Sequence, residues 1–265
     1  MAIAVPAHPT APLGSVRSST RVLAVLRAAV GVLMITGIAS QFTVSLAYWR
    51  RIGLHDIGAR TVDFLSAFTH EVNLGGGAIL IVGAVLLLRG RGAGPRWYTG
   101  LRLALLPAIL VAGIVYNLLL RSAPVPPGSQ LDWANEVMHV VAPIAVLLDW
   151  LIAPHPRRTP FRAAWLVLAF PVAWIAYTFV RAPFVPDELK RTPYYYPYDF
   201  LDPHAAGWGP VLLLVGVLLV FALGLGLLAV VTWRIEDRMS ARRATGRPDG
   251  APAVGPEPAA TPASP

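Results

Sequence analysis

One hydrophobic stretch decides the fold, residues 131–150, which read Leu-Asp-Trp-Ala-Asn-Glu-Val-Met-His-Val-Val-Ala-Pro-Ile-Ala-Val-Leu-Leu-Asp-Trp. The stretch is long and apolar enough to cross a bilayer as a helix. Its first two turns nevertheless hold Asn135, Glu136 and His139. Ionisable groups at membrane depth are costly, so they usually face protein or water and mark a functional site. The stretch therefore predicts a membrane-spanning helix with a functional polar face.

The composition of the whole chain indicates an integral membrane protein. Of 265 residues, 55% are hydrophobic and only 14% are charged, whereas a soluble domain carries about 25% charged residues. The net charge of +8 would suggest nucleic acid as a partner of a soluble chain. Here the basic residues flank apolar runs, so membrane topology and anionic lipids explain them better. The absence of cysteine excludes disulfides and thiolate metal sites.

Hydrophobic runs of sufficient length occur six times, and each meets the length that a bilayer demands. We predict an all-α, polytopic membrane protein with one transmembrane domain, residues 21–235, between disordered cytoplasmic tails at 1–20 and 236–265. The predicted spans are 22–48, 64–88, 97–120, 131–150, 161–180 and 207–233.

The distribution of basic residues predicts the orientation of the spans. If the amino terminus is inside, most of the 22 basic residues lie in the inner segments, as the positive-inside rule requires. Tryptophans at the ends of several spans fit the interfacial belts of a bilayer. We therefore predict a multi-pass protein of the plasma membrane with both termini in the cytoplasm.

Polar side chains from five spans are predicted to share one depth in the outer leaflet. Thr69 and His139 each lie about five residues inside a span that enters from outside, or roughly 8 Å below the boundary at 1.5 Å per residue. The inner halves of the spans are almost purely apolar, and Asp149 lies close to the inner boundary. This pattern predicts an outward-facing polar cavity with an apolar floor. The layer contains Gln41, Thr69, Asn73, Asn117, His139 and Thr178.

Thr69 and His139 have the chemistry of a nucleophile and its general base. A hydroxyl is a weak nucleophile until a positioned base takes its proton, and a neutral imidazole suits that task. The structural alternative is that Thr69 bonds to its own helix while His139 satisfies a neighbouring span.

Metal or haem binding is a further alternative for the same histidine. His70-Glu71 together with Glu136-x-x-His139 resembles part of a di-iron bundle site, but such a bundle needs two Glu-x-x-His helices and this chain offers one. Bis-histidine haem would require His70 and His139 to face each other. The sequence therefore assigns no metal ligands and no cofactor.

The loop at residues 182–206 is predicted to fold over the cavity as a lid. Loops of this length without secondary structure are uncommon unless they are functional or disordered, and its tyrosines argue against disorder. The alternative is an interfacial anchor, because aromatic side chains sit well at a membrane surface. The candidate lid residues are Tyr196, Tyr198, Asp199 and Asp202.

Four segments together resemble the bacterial "Pr-six-Pr" integral membrane family, over about residues 20–235. That family is similar to the eukaryotic androgen-induced-gene family of multi-span threonine hydrolases, which cleave fatty acid esters of hydroxy fatty acids with an intramembrane threonine and a histidine. By this resemblance Thr69 is the nucleophile and His139 its partner. The segments are Phe68-Thr69-x-x-x-Asn73, Gly113-Ile-Val-Tyr-Asn117, Trp133-x-Asn135-Glu136-x-x-His139-x-x-x-Pro143 with Asp149-Trp150, and Tyr196-Pro-Tyr198-x-Phe200-Leu-Asp202.

Three functional hypotheses follow from these observations. The first is an intramembrane lipid-ester hydrolase whose partners are membrane lipids and an amphipathic lipid-ester substrate. The second is a non-catalytic lipid or small-acid binding protein or transporter, and the third is a metal- or haem-binding membrane protein. Under the first hypothesis the residues expected to stabilise the oxyanion or to contact the substrate are Asn73, Asn117, Asn135 and Glu136.

Overall fold

The computed structural model describes residues 13–155 and 159–245. Of the residues in these two ranges, 79% are helical and none lies in a β-strand. Two π-helices, Tyr116–Leu120 and Val137–Val141, lie within spans, and 3₁₀-helices cover Phe161–Leu168, Ala182–Phe184 and Asp199–Leu201. The α-helices are α1 (Leu13–Arg51), α2 (Ile57–Leu65), α3 (Phe68–Leu88), α4 (Arg96–Val115), α5 (Asp132–Glu136), α6 (Ala142–Ile152), α7 (Ala169–Arg181), α8 (Pro203–Ala206) and α9 (Trp208–Thr245).

Among the described residues, six helical segments are long and apolar enough to cross a membrane, which confirms the predicted all-α polytopic fold. We call the end of the bundle formed by residues 51–68, 120–132 and 184–208 the loop end, and the other end the tail end. The orientation of these ends and the identity of the membrane stay predictions. The spans are Ser19–Arg51, Phe68–Leu88, Arg96–Leu120, Asp132–Ile152, Phe161–Phe184 and Trp208–Arg242.

The first and last helices extend beyond the predicted transmembrane domain. The helix α1 begins at Leu13 and α9 continues to Thr245, so parts of both predicted tails are helical. Adding one residue to an existing helix forms one more hydrogen bond, whereas nucleation is the costly step. The rest of the predicted tails, 1–12 and 246–265, lies outside the described residues.

A short helix, α2, precedes the second span, and the span begins later than the sequence predicts. Asp56 caps α2 by accepting the N–H of Ala59 at 2.8 Å, within a segment that the sequence predicted to be a loop. After α2 the chain turns at Ala67, whose backbone is extended, and α3 begins at Phe68 rather than at the predicted Phe64. Thr69 therefore lies in the first turn of its helix, closer to the end of the bundle than predicted.

The first two spans approach each other through glycine. A Cβ atom added to Gly31 would lie 2.6 Å from the carbonyl oxygen of Gly77, and one on Gly77 would lie 2.9 Å from the carbonyl of Gly31. Only glycine permits such close backbone contact between helices. Behind this contact Met34, Val72 and Ile109 are fully buried and fill the centre of the bundle.

A buried cluster of charges joins three spans near the tail end. Arg27 of α1 donates to both carboxylate oxygens of Asp149 in α6, at 2.5 and 3.2 Å, and Arg102 of α4 donates to the same carboxylate at 2.8 Å. The exposed fraction is 3% for Arg27, 4% for Arg102 and 5% for Asp149. From the sequence Asp149 is expected only at the membrane boundary, and its position there does not indicate either arginine partner. Because buried charges must be paired, this cluster fixes α1, α4 and α6 against one another.

Asp149→Asn should destabilise the protein by about 3–5 kcal/mol, because it leaves two buried guanidinium groups without a counter-charge. Thermal unfolding of the purified protein in detergent measures the effect. Glu136→Gln is the matched control, since it breaks the solvent-exposed pair with Arg121 at 2.9 Å, and it should leave the melting temperature unchanged. Equal melting temperatures for the wild type and Asp149→Asn would contradict a structural role for the cluster.

Candidate functional site

A polar cavity of about 410 Å³ opens at the loop end of the bundle. It lies among the first four spans, the loop after Leu120 and the loop before α8. We call it the polar cavity. Its polar lining includes Gln41, Thr69, His70, Tyr116, Asn135, His139 and Tyr198.

Thr69 and His139 come together in the wall of the polar cavity. The hydroxyl oxygen of Thr69 lies 3.3 Å from Nε2 of His139, and both side chains are buried. The other ring nitrogen, Nδ1, lies 3.0 Å from the carbonyl oxygen of Asn135. Because a carbonyl only accepts, Nδ1 carries the proton in the neutral imidazole and Nε2 presents its lone pair to Thr69. This is the geometry that a general base requires.

Two π-helices position the imidazole of His139. They are the Tyr116–Leu120 and Val137–Val141 segments of adjacent spans, and such wide turns are frequent at functional sites. The Tyr116 ring stacks on the imidazole at 3.9 Å between centroids with 19° between planes, and its hydroxyl accepts a hydrogen bond from Asn135. Asn117 donates to the carbonyl of His139 at 3.0 Å. These contacts hold the ring plane and the backbone of His139.

Tyr198 brings a second hydroxyl to the pair of Thr69 and His139. Its oxygen lies 3.3 Å from the Thr69 hydroxyl and accepts the backbone N–H of Thr69 at 3.2 Å. Burial raises the pKa of the Tyr198 hydroxyl, so it keeps its proton at neutral pH and can donate it to Thr69. The hydrogen bonds then run in one direction, from Tyr198 to Thr69, from Thr69 to His139 and from His139 to the carbonyl of Asn135.

An apolar pocket of about 70 Å³ lies on the other side of Thr69. Phe68, Trp174 and Ala222 are among the apolar side chains that line it, and we call it the apolar pocket. Thr69, Leu120 and Tyr198 line both this pocket and the polar cavity. The Thr69 hydroxyl therefore lies at the boundary between a polar and an apolar space.

Comparisons with known proteins add no family to this geometry. No family model, no curated protein and no solved structure gives a significant match to the chain. The likeness to the "Pr-six-Pr" family therefore stays a prediction from sequence motifs.

The four residues expected around the substrate are used differently in the structure. Asn135 lines the polar cavity, but its amide is bonded to Tyr116. Asn73 is fully buried and donates to the carbonyl of Thr69, one helical turn earlier. Glu136 pairs with Arg121 at the surface, and Asn117 bonds to backbone carbonyls. Asn117 and Asn135 thus join the third and fourth spans, whereas Asn73 bonds within its own helix. None of the four contacts the Thr69 hydroxyl through a described hydrogen bond.

Of the four predicted lid residues, Tyr198 is the one that lines the polar cavity. Tyr196 is buried against Phe179, with ring centroids 6.0 Å apart. Asp199 pairs with Lys190 at the surface, and Asp202 caps α8 by accepting the N–H of His204. The loop thus brings one side chain, that of Tyr198, to the dyad formed by Thr69 and His139. The other three residues anchor the loop.

His70 lines the polar cavity without facing a second metal ligand. Its Nδ1 lies 2.6 Å from the carbonyl oxygen of Phe64, and its ring stacks on that of Phe64 at 3.9 Å. Within residues 13–155 and 159–245, no group of three or more His, Cys, Asp or Glu side chains is placed to hold a metal ion. The histidine therefore has a structural role between α2 and α3.

Gln41→Ala should loosen the wall of the polar cavity. The side chain of Gln41 donates to the carbonyl of Ser129 at 2.9 Å and accepts the N–H of Leu131 at 2.8 Å, so it holds the loop to α1. Losing these hydrogen bonds should speed amide exchange in residues 123–131 by about tenfold. Hydrogen-exchange mass spectrometry measures this. Thr43→Ala is the control, because the Thr43 hydroxyl donates to the carbonyl of Ser40 in its own helix. Equal exchange in the two variants would show that Gln41 does not hold the loop to α1.

Proposed function

We propose that the protein is an intramembrane lipid-ester hydrolase with Thr69 as nucleophile and His139 as general base. The observation that carries the proposal is the 3.3 Å distance from the Thr69 hydroxyl to the unprotonated Nε2 of His139. A hydroxyl becomes a competent nucleophile when such a base accepts its proton. The alternative of a purely structural hydrogen bond does not account for the two spaces that meet at this hydroxyl.

The reaction proceeds through an acyl intermediate on Thr69. The Thr69 oxygen attacks the ester carbonyl carbon while its proton passes to Nε2 of His139. The imidazolium is stabilised by the hydrogen bond from Nδ1 to the Asn135 carbonyl. The C–O bond to the alcohol then breaks, and His139 returns the proton to the departing oxygen. Water, deprotonated by His139, cleaves the acyl–threonine ester and restores both residues.

The two spaces indicate an amphipathic ester as substrate. The apolar pocket suits the hydrocarbon chain of the acyl group, while the polar cavity suits the polar part of the molecule and the attacking water. Binding sites typically combine an apolar lining with a few convergent polar groups. An ester that spans both spaces presents its carbonyl at Thr69.

Transport is less well supported than hydrolysis. Gly76 lies two helical turns deeper than Thr69, and the side chains of Met34 and Ile109 pack against it. Both are fully buried, so tightly packed apolar side chains close the bundle beneath the polar cavity. A one-sided site fits a reaction or binding at one leaflet better than a path across the membrane.

Thr69→Ala and His139→Ala should each reduce ester hydrolysis and fluorophosphonate labelling of the purified protein by about a thousandfold or more, the scale seen when a nucleophile or its base is removed. Thr69→Ser should retain part of the activity because it keeps the hydroxyl. Thr43→Ala, on the same end of the bundle and away from both spaces, is the matched control. Turnover that survives both alanine substitutions would refute the dyad.

Ala222→Phe should reduce kcat/KM for long-chain esters by about tenfold, because the larger side chain fills the apolar pocket. A chain that no longer matches such a pocket loses about 1–3 kcal/mol of transition-state binding. Acetate esters should be hydrolysed at an almost unchanged rate. Val220→Phe, on the same helix but 72% exposed, is the control. Equal losses for short and long esters would show that the pocket does not hold the acyl chain.

A further inference from the structure

Tyr198 occupies the space that a substrate of Thr69 has to enter. A carbonyl carbon must approach a lone pair of the Thr69 oxygen, and the oxygen of the Tyr198 hydroxyl already lies 3.3 Å from it. Thr69 is only 8% exposed. The dyad is therefore assembled but covered.

The backbone N–H of Thr69 is engaged by the same hydroxyl. At the start of α3 the N–H groups of His70 and Glu71 bond to the carbonyl of Ala67, and Ala67 offers no side-chain cap. The N–H of Thr69 bonds instead to the Tyr198 oxygen at 3.2 Å. When a nucleophile attacks, its own N–H is well placed to bind the oxyanion that forms beside it.

We propose that Tyr198 is the gate of the site. In the closed site its hydroxyl oxygen accepts the N–H of Thr69. The carbonyl oxygen of the substrate takes over this N–H when the substrate displaces Tyr198. This inference rests on the proposed function and deepens it. It assigns the backbone N–H of Thr69 as an oxyanion donor, in place of the asparagine side chains expected from the sequence. It also assigns Tyr198 a closed, resting position.

The fold makes Tyr198 the movable member of the three. Thr69 and His139 belong to helices within membrane spans, whereas Tyr198 lies in a stretch between Thr192 and Asp199 without helix. Its ring contacts two aromatic side chains, Phe200 at 5.3 Å and Trp174 at 6.0 Å between centroids. Because Tyr198 lines both the polar cavity and the apolar pocket, moving its ring joins them into one cleft past Thr69.

The gate can be tested without relying on hydrolysis, since the chain contains no cysteine. Thr69→Cys places the only thiol at the nucleophile's position, and its alkylation rate with N-ethylmaleimide reports access to that position. Adding Tyr198→Phe should raise the rate about three- to tenfold, the range that corresponds to one lost hydrogen bond. Tyr198→Ala should raise the alkylation rate further, because it removes the ring that lines both spaces. The increase should be larger for N-phenylmaleimide, since that reagent is bulkier.

Tyr194→Phe is the matched control, because Tyr194 lies in the same loop, stacks on His204 and lines neither space. It should leave the alkylation rate of Thr69→Cys unchanged. Unchanged or slower alkylation in both Tyr198 variants would overturn the gate.

A second arm keeps Thr69 and measures ester turnover and fluorophosphonate labelling. Tyr198→Phe should raise both several-fold. A tenfold loss would overturn the proposal by making the hydroxyl a required donor. Faster thiol access with no ester turnover in any variant, wild type included, would uphold the gate's closed position and refute the proposed hydrolysis.

Discussion

A charged or polar side chain inside an apolar bundle has to find its partner within the protein, and this constraint organises both ends of the structure. At the tail end it joins Arg27, Arg102 and Asp149 from three spans. Unpaired, any of these charges would cost several kcal/mol, so the three helices have one favourable mutual arrangement. The same three spans, together with α3, also contribute side chains to the lining of the polar cavity at the loop end. The geometry of the site is therefore linked to a charge cluster at the other end of those spans.

At the loop end the same constraint determines which atom donates in each hydrogen bond. Each group of the series has one available partner: the Asn135 carbonyl can only accept, which leaves Nε2 of His139 to accept from Thr69, which in turn accepts from Tyr198. Moving the imidazole proton to Nε2 would leave Nδ1, an acceptor, facing the carbonyl oxygen of Asn135, which is also an acceptor. A polar network that is fully satisfied in this way is rigid and specific. It therefore holds the imidazole in the tautomer that base chemistry needs.

The sequence predicts the six spans because hydropathy and residue count measure position along a helix. It also groups Thr69 with His139, which do meet, although α3 begins four residues later than predicted and Thr69 lies nearer the end of its helix. It does not predict which way a side chain points around the helix axis. That is why Asn73 and Asn117, at suitable depth, proved to bond to backbone carbonyls instead of lining the polar cavity. Arg27 and Arg102 were missed for a related reason, since basic residues near span ends read as topology signals. The catalytic roles of the dyad stay a prediction, which distance and burial support.

The π-helix Val137–Val141 has a consequence for the fourth span as a whole. A π-turn contains one residue more than an α-turn, so the segments before and after it are offset by about 100° relative to a continuous α-helix. Asn135 lies before this turn and Asp149 after it. The additional residue thus sets the rotational phase between the two ends of the span, and it allows one helix to face the polar cavity at one end and the arginine pair at the other.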